Sequence, residues 1–193
     1  MFARKSKSST NSQSVSSECL SQESSSQERK SMTKREPSAS SNLIQEGHLI
    51  ANLEAVNKKQ AITELAKLAA PITGLSEHVI FDVLFAREKL GTTGVGHGIA
   101  IPHGKVENVD KVYGFFARIE QPIDFEAIDE KPVDLLFMML APHDAGADHL
   151  KALAKISRMF REKAFCEKLR GAPDAKTLYA LLSEGEKNVE AAN

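Results

Sequence analysis

The sequence contains no tryptophan, only two cysteines and no long apolar run. Cys19 and Cys166 alone do not make the disulfide framework of a small secreted protein, so we expect a reducing, cytoplasmic compartment. No run approaches the roughly 20 apolar residues of a membrane span, and no apolar core of a signal peptide is present. The formal net charge of -1 offers no basic surface for nucleic acid. Membrane insertion and nucleic-acid binding are therefore not expected.

Apolar side chains are also scarce in residues 1–42, where serine is frequent and Phe2 is the only aromatic residue. Such a segment buries too little apolar surface to offset the entropy lost on ordering. We predict a disordered Ser-rich tail over 1–42, one folded domain over 43–187 and a short flexible C-terminus over 188–193. Met32 is an alternative start, so the true beginning of the chain stays open.

Within the domain, helical and extended spacings of apolar residues follow one another. The spacing predicts helices over 58–70, 76–88, 148–160, 163–169 and 174–182, and strands over 48–53, 99–102, 112–119 and 133–140. Pro71 and Gly74 are expected to end the first helix, and Asp148 to cap the third. The nearly unbroken apolar run over 133–140 is typical of a central strand covered on both faces. The fold class is therefore α/β, with a mixed central sheet flanked by helices on both faces.

Four glycines lie between positions 91 and 98, where the chain reads GTTGVGHG. This density predicts a loop, neither helix nor strand, that can direct several N–H groups at an anion. It is not a phosphate-binding loop of the GxxxxGK[ST] type, because His97 stands where lysine is required. A dinucleotide fingerprint is also absent, since the third glycine is missing. Nucleotide binding is therefore disfavoured.

His103 follows this loop, between Pro102 and Gly104. Proline fixes the approach of the chain and glycine leaves one side of the imidazole unshielded. Neutral imidazole has a free lone pair near pH 7, which suits attack on phosphorus. Arg87 is a candidate for bidentate contact with phosphoryl oxygens. A histidine between proline and glycine is by itself more often a turn residue, so the prediction depends on its grouping with Arg87 and the glycines.

His149 falls in the first turn of the third predicted helix, where the helix dipole lowers an imidazole pKa and favours anions. It could donate a hydrogen bond to a phosphoryl group or orient His103. The alternative is a solvated first-turn residue. His48 and His78 are expected on the surface. No cofactor is expected, and no metal site either, because the histidines and cysteines lack HxH, HExxH and CxxC spacings.

Three stretches carry a resemblance to a known family: REKLGTTGVGHGIAIPHGK at 87–105, DLLFMMLAP at 134–142 and DHL at 148–150. They resemble enzyme IIA of the phosphotransferase system, mannitol/fructose class, and are most similar to its nitrogen-regulatory branch. The resemblance spans 45–185 and implies a mannitol-type enzyme IIA sandwich. It also implies that His103 is phosphorylated by the phosphohistidine of an HPr-like carrier, itself charged from phosphoenolpyruvate through an enzyme I.

The same resemblance implies further site residues and partners. Arg87 and His149 match the active-site arginine and second histidine of the family, and Thr93, Gly94 and Gly98 match positions that line the pocket. A nitrogen-related protein would signal to regulatory partners, such as potassium-uptake regulators or sensor kinases. A sugar-specific enzyme IIA would instead pass its phosphoryl group to a IIB domain. The third alternative is a module that binds an anion or a partner and is never phosphorylated.

Overall fold

The structure is a computed structural model that describes residues 43–191. Its elements in chain order are β1 (Leu49–Leu53), α1 (Lys58–Thr73), α2 (Glu77–Lys89), β2 (Gly94–Gly96), β3 (Ile99–Ala100), β4 (His103–Val106), β5 (Tyr113–Ile123), β6 (Val133–Pro142), α3 (Ala147–Arg161), α4 (Lys163–Arg170) and α5 (Ala175–Ala191). The predicted tail over 1–42, including Cys19, lies outside the described residues. None of the described helices is both long and apolar enough to span a bilayer.

All six strands join one sheet, in the order β1-β5-β6-β3-β2, with β4 also paired to β6. β6 runs antiparallel to β5 but parallel to β3 and β4, while β1 is parallel to β5. Strands of both directions meet at β6, so the sheet is mixed. The apolar run that predicts a central strand is confirmed, because β6 has neighbours on both sides and its residues 135–141 are buried.

The two faces of the sheet carry separate hydrophobic clusters, because successive side chains of a strand point to opposite faces. Leu136, Met138 and Leu140 pack with α1 and α2 in the first cluster. Leu135, Phe137 and Met139 pack with α3, α4 and α5 in the second. The predicted α/β class, with helices on both faces of a mixed sheet, is therefore confirmed.

Two helix ends differ from the sequence prediction. α1 continues past Pro71 to Thr73 and ends at Gly74, whose φ of 73° only glycine adopts at little cost. Proline so close to the end of a helix removes only one late hydrogen bond, so it does not stop the helix. α3 begins at Ala147 after Gly146 without a side-chain cap, so the prediction that Asp148 caps this helix is wrong. Asp148 lies inside the first turn instead.

The C-terminal boundary also needs correction. α5 continues to Ala191, so the expectation of a flexible C-terminus from 188 is wrong as far as Ala191. The physical reason is packing, because Val189 lies against the second hydrophobic cluster and this contact stabilises the longer helix. Residues 192–193 lie outside the described part of the chain.

The glycine-rich segment is a short hairpin rather than a loop without strands. β2 and β3 pair antiparallel, with Gly96 opposite Ile99, and the two-residue turn consists of His97 and Gly98. Both turn residues have positive φ, 58° and 80°, which matches the twist that two-residue hairpin turns require. The glycines thus permit a tight turn, and the hairpin leads the chain directly into the segment that contains His103.

Candidate functional site

His103 is held at the start of β4, next to the central strand. Its backbone lies opposite Met139 of β6, and the Met139 N–H donates to the Pro102 carbonyl at 2.9 Å. Among the described strands β4 pairs with β6 alone, so its other edge is open. The half-buried His103 side chain therefore stands on a rigid support with one accessible side.

A close approach of α2 to β4 brings Arg87 to His103. Gly104 makes the approach possible, because a Cβ at this position would overlap Cγ1 of Val83 on α2. Arg87 lies one helical turn after Val83, on the same face. Its Nε donates to Nε2 of His103 at 3.2 Å, and its Nη1 donates to the Gly91 carbonyl at 2.9 Å. The structure thus brings together the two residues that the sequence pattern predicts as a pair.

The hydrogen bonds of His103 assign its tautomer. Nδ1 lies 2.8 Å from the Ile101 carbonyl oxygen, which can only accept, so Nδ1 carries the proton. Nε2 then holds the free lone pair, and it accepts from Arg87. Burial lowers the pKa of His103, the positive charge of Arg87 lowers it further, and the Ile101 carbonyl partly opposes both. The ring is consequently neutral at pH 7, with its lone pair on Nε2.

His149 is the second histidine of the site. It lies in the first turn of α3, and its ring centroid is 5.8 Å from that of His103. Only 8% of the residue is exposed, which rules out the alternative of a solvated surface position. Burial lowers its pKa, and the proximity of His103 and the charge of Lys105 lower it further. Its Nε2 is buried and has no hydrogen-bond partner among the described residues.

Glu88 lies beneath the glycine segment and ties several parts of the site together. It is 5% exposed, and its carboxylate accepts from both the N–H and the hydroxyl of Thr93. Lys58 balances its charge at 3.3 Å. The Thr93 carbonyl accepts from the Ile101 N–H at 2.9 Å, and Ile101 in turn holds His103. The end of α2 is therefore linked to His103 through hydrogen bonds.

Comparison with known proteins identifies the family. The model of the family described as "Phosphoenolpyruvate-dependent sugar phosphotransferase system, EIIA 2" matches residues 42–185 of this chain. The chain belongs to this EIIA 2 family. A nitrogen regulatory protein of Bradyrhizobium diazoefficiens is 50% identical over 143 residues, which cover 74% of this chain and 94% of the relative.

Two solved structures place the fold within the EIIA 2 family. The nitrogen regulatory protein IIA-Ntr of Neisseria meningitidis matches with a TM-score of 0.69 and 38% identity, over 72% of this chain and 94% of that one. The mannitol IIA protein of Escherichia coli matches with a TM-score of 0.62 and 20% identity, over 72% and 98% of the two chains. The second likeness concerns the fold alone. Together they confirm the mannitol-type sandwich.

The three predicted pocket residues of this EIIA 2 domain lie in different surroundings. Thr93 is part of the Glu88 network beside the site. Gly94 is packed against Ala127, which a Cβ would meet at 2.8 Å. Gly98 lies against Asp134 and Arg170, and none of its described contacts involves His103, Arg87 or His149. Among the described residues no group of three or more His, Cys, Asp or Glu side chains is arranged to hold a metal ion.

Sequence reasoning missed two charged residues of the site and misplaced a histidine. Lys105 lies two positions after His103 on β4, and the two-residue period of a strand would have placed both on one face. The burial of Glu88 is harder to predict, because an acidic residue next to Arg87 on a helix is usually exposed to solvent. His48 is buried, not on the surface as expected, because its Nδ1 lies 2.9 Å from the Gly114 carbonyl.

Proposed function

We propose that this chain is a phosphoryl-accepting regulatory protein of the nitrogen-related phosphotransferase system, with His103 as the acceptor. One observation carries the proposal. The neutral His103 ring is fixed through Nδ1 and presents its Nε2 lone pair to the guanidinium of Arg87. A nucleophile beside a fixed cation is what transfer of a charged phosphoryl group requires.

In the proposed step, Nε2 of His103 attacks the phosphorus of a phosphohistidine on an HPr-like carrier. The new N–P bond forms as the N–P bond of the carrier breaks, and the bonding pair returns to the carrier imidazole. That imidazole leaves neutral because its other nitrogen carries a proton. The proton on Nδ1 of His103 stays in place, so the phosphorylated ring carries a positive charge. The Ile101 carbonyl at 2.8 Å stabilises this charge.

Arg87 has two positions in this mechanism. Before transfer its Nε donates to the lone pair that must attack, so the guanidinium has to move aside. Nη1 is anchored on the Gly91 carbonyl, and a rotation about that contact brings the other donors to the phosphoryl oxygens. His149 then donates from its unpartnered Nε2, and Lys105 adds positive charge. Arg87, His149 and Lys105 together stabilise the negative charge on the phosphoryl oxygens from three sides.

Exposed aliphatic side chains next to the site support docking of a protein donor. Leu90 follows Arg87 at the end of α2 and is 86% exposed, and Leu150 follows His149 and is 64% exposed. An HPr-like carrier that delivers a phosphoryl group to His103 would cover both. Apolar side chains are typical of the buried core of a protein interface. The proposal places the reaction in the cytoplasm, where phosphoenolpyruvate is made.

The decisive experiment is the intact mass of the chain after incubation with phosphoenolpyruvate, enzyme I and the HPr-like carrier. We expect one acid-labile phosphoryl adduct in the wild type and none in His103→Ala. His149→Ala should still accept the group but at a rate lower by about tenfold to a hundredfold, because one donor to the transition state is lost. His143→Ala, an exposed loop histidine, is the matched control and should behave as wild type.

The remaining outcomes separate the alternatives. An adduct that persists unchanged in His103→Ala would overturn the assignment of the acceptor. Absence of any adduct, with a carrier shown active on another acceptor, would support the module that only binds. Rapid onward transfer to an added IIB domain would favour the sugar-specific function, which the family description also names. The regulated partner, such as a potassium-uptake regulator or a sensor kinase, is then sought with the phosphorylated and unphosphorylated forms.

A further inference from the structure

A second cleft is lined by none of the residues of the phosphoryl site. It has a volume of about 340 Å³ and lies between the His97–Gly98 turn, Lys131 and the junction of α3 with α4. Four basic residues line it: Lys131, Arg161, Lys163 and Arg170. Glu167 is the one acidic residue of the lining. For a chain whose formal net charge is -1, this is a marked local excess of positive charge.

Arg170 forms a fixed wall of this cleft. Its Nε and Nη2 donate to the two oxygens of Asp134 at 2.6 and 2.8 Å, and its Nη1 donates to Glu167 at 2.8 Å. Nη2 also donates to the His97 carbonyl at 2.8 Å, which ties the β2–β3 turn to α4. The charge of Arg170 is thus balanced within the fold. The remaining cations of the cleft are not.

Lys131, Arg161 and Lys163 have no ion pair and no side-chain hydrogen bond within residues 43–191. The His97 N–H is the main cause that lowers the pKa of Asp129, and the nearby charge of Lys131 lowers it further, although the two side chains form no ion pair. Like charges gathered in one cleft repel one another, and an anion between them lowers this repulsion. Arginine and lysine together also supply the donors that phosphate oxygens accept.

The inner wall of the cleft is apolar. Ile99, Phe160 and Cys166 line it, and each is only 2–3% exposed in the folded chain. These three side chains therefore present almost no surface to a ligand, and the exposed basic side chains of Lys131, Arg161 and Lys163 form the accessible part of the cleft. We propose that this cleft binds a small phosphate-bearing anion, with its phosphate between Lys131, Arg161 and Lys163.

The position of the cleft gives such a ligand access to the nucleophile segment. The His97–Gly98 turn forms one side, and the Gly98 carbonyl accepts from the N–H groups of Asp134 and Leu135 on β6. From Gly98 the chain runs through Ile99 to Ile101, whose carbonyl holds His103. A bound anion would therefore lie against the hairpin that precedes His103. The binding proposal itself does not depend on phosphorylation of His103.

Inorganic pyrophosphate is the probe that tests the cationic part of the site. We expect saturable shifts of the Cys166 and Lys163 amide signals in a two-dimensional NMR titration of the full chain at constant ionic strength. The double variant Arg161→Gln/Lys163→Gln should bind about tenfold more weakly, since two exposed charge contacts are lost. Lys168→Gln, which removes an exposed charge of α4 outside this cleft, is the matched control and should bind as wild type.

The phosphoryl site also attracts anions, so its contribution has to be removed. In Arg87→Gln the shifts at Cys166 and Lys163 should persist with unchanged affinity, which separates the two sites. Shifts that do not saturate, that sodium chloride reproduces at equal ionic strength, or that disappear in Arg87→Gln would overturn the proposal. Equal weakening in Lys168→Gln and in the double variant would also overturn it, because general surface charge would then account for the binding.

Discussion

At the scale of single residues, the neighbour of His103 sets both its protonation and its reactivity. The positive charge of Arg87 lowers the pKa of His103, after the larger effect of burial. Arg87→Gln removes that charge, so the pKa of His103 should rise. Loss of the guanidinium should also slow phosphoryl transfer by about a hundredfold or more, as for other single donors to a transition state. NMR titration of the ring signals and single-turnover rates measure the two effects.

The control for this variant is Lys89→Gln. Lys89 belongs to the same helix and carries the same charge, but its ammonium lies over the Phe85 ring, 4.8 Å from the centroid. Lys89→Gln should leave both the pKa of His103 and the rate of phosphoryl transfer near their wild-type values. An unchanged pKa of His103 in Arg87→Gln would contradict the electrostatic role of the guanidinium.

Glu186 is a buried acid whose ionisation opposes folding. It is 1% exposed, and burial raises its pKa to about 7 from an ordinary value of 4.5. Between these two pH values the folded state binds more protons than the unfolded state, so stability falls as the pH rises and then levels off above about 7. The full shift corresponds to about 3 kcal/mol.

Glu186→Gln should remove this part of the pH dependence, since a neutral amide still accepts from the Leu43 N–H. We expect the variant to gain stability over wild type at pH 8 and to differ little at pH 5, measured by urea unfolding. Glu190→Gln changes an exposed acid of the same helix that is paired with Lys155, and it should not show this pattern. Equal effects of Glu186→Gln at both pH values would refute the assignment.

The sequence predicts the candidate site residues better than the residues that hold them in place. His103, Arg87 and His149 stand out because their side chains suit phosphoryl chemistry and lie beside a run of glycines or at a helix start. The structure brings these three together. Glu88 is different, since its burial depends on Thr93 and Lys58, five and thirty positions away. No local pattern reveals that those partners meet it, so a buried acid looks the same in sequence as a solvated one.

At the scale of elements, the packing of α2 on β4 positions Arg87 beside His103. Gly104→Ala would place a methyl group against Val83 and push the helix outward. We expect a loss of about 1–3 kcal/mol in the free energy of unfolding, as for other overpacked sites, together with slower phosphoryl transfer because Arg87 moves away from His103. Chemical unfolding and single-turnover rates on the same variant measure both.

A second substitution makes this prediction specific. Val83→Ala in the Gly104→Ala background creates room for the new methyl group, so it should restore part of both the stability and the rate. Gly47→Ala is the control, because a Cβ there would meet nothing within 4 Å. A Gly104→Ala protein with wild-type stability and rate would show that the close approach has no role in positioning Arg87.

Elements with a clear period were predictable and those set by distant contacts were not. The apolar run of β6 and the spacing of α1 and α2 identify these elements, with end errors of a few residues. The strand predicted over 99–102 contains β3, whereas β2 was missed because two of its three residues are glycine and only its pairing with β3 makes it extended. α5 extends beyond the helix predicted over 174–182, because Val189 is stabilised only by packing against the assembled second cluster.

At the scale of the whole molecule, Arg118 connects β5 to two distant parts of the domain. Its Nε donates to the Ala51 carbonyl of β1 at 2.9 Å. Its Nη1 donates to the carbonyls of Leu169, Arg170 and Ala172, at and beyond the end of α4. One guanidinium thus satisfies backbone acceptors that would otherwise be left unpaired when buried.

Arg118→Met should lower the free energy of unfolding by about 2–4 kcal/mol, because several partly buried carbonyls lose their donor at once. Arg118→Lys should recover only part of this, since an ammonium group cannot reach both sets of acceptors. Guanidinium chloride unfolding measures the series. Arg161→Met, at an exposed arginine, should stay within about 0.5 kcal/mol of wild type. A similar value for Arg118→Met would show that solvent replaces the lost donor.

The hydrogen bond between the Leu43 N–H and Glu186, 3.2 Å long, has a consequence for engineering the domain. It joins the first described residue to the last helix, which ends five residues later at Ala191. Five helical residues span only about 7.5 Å, so a short peptide can connect the two ends. The domain is therefore suited to circular permutation, with new termini opened in the exposed turn around Asp144. A protein joined directly before Leu43 or after Ala191 would also leave the domain from one small patch of its surface.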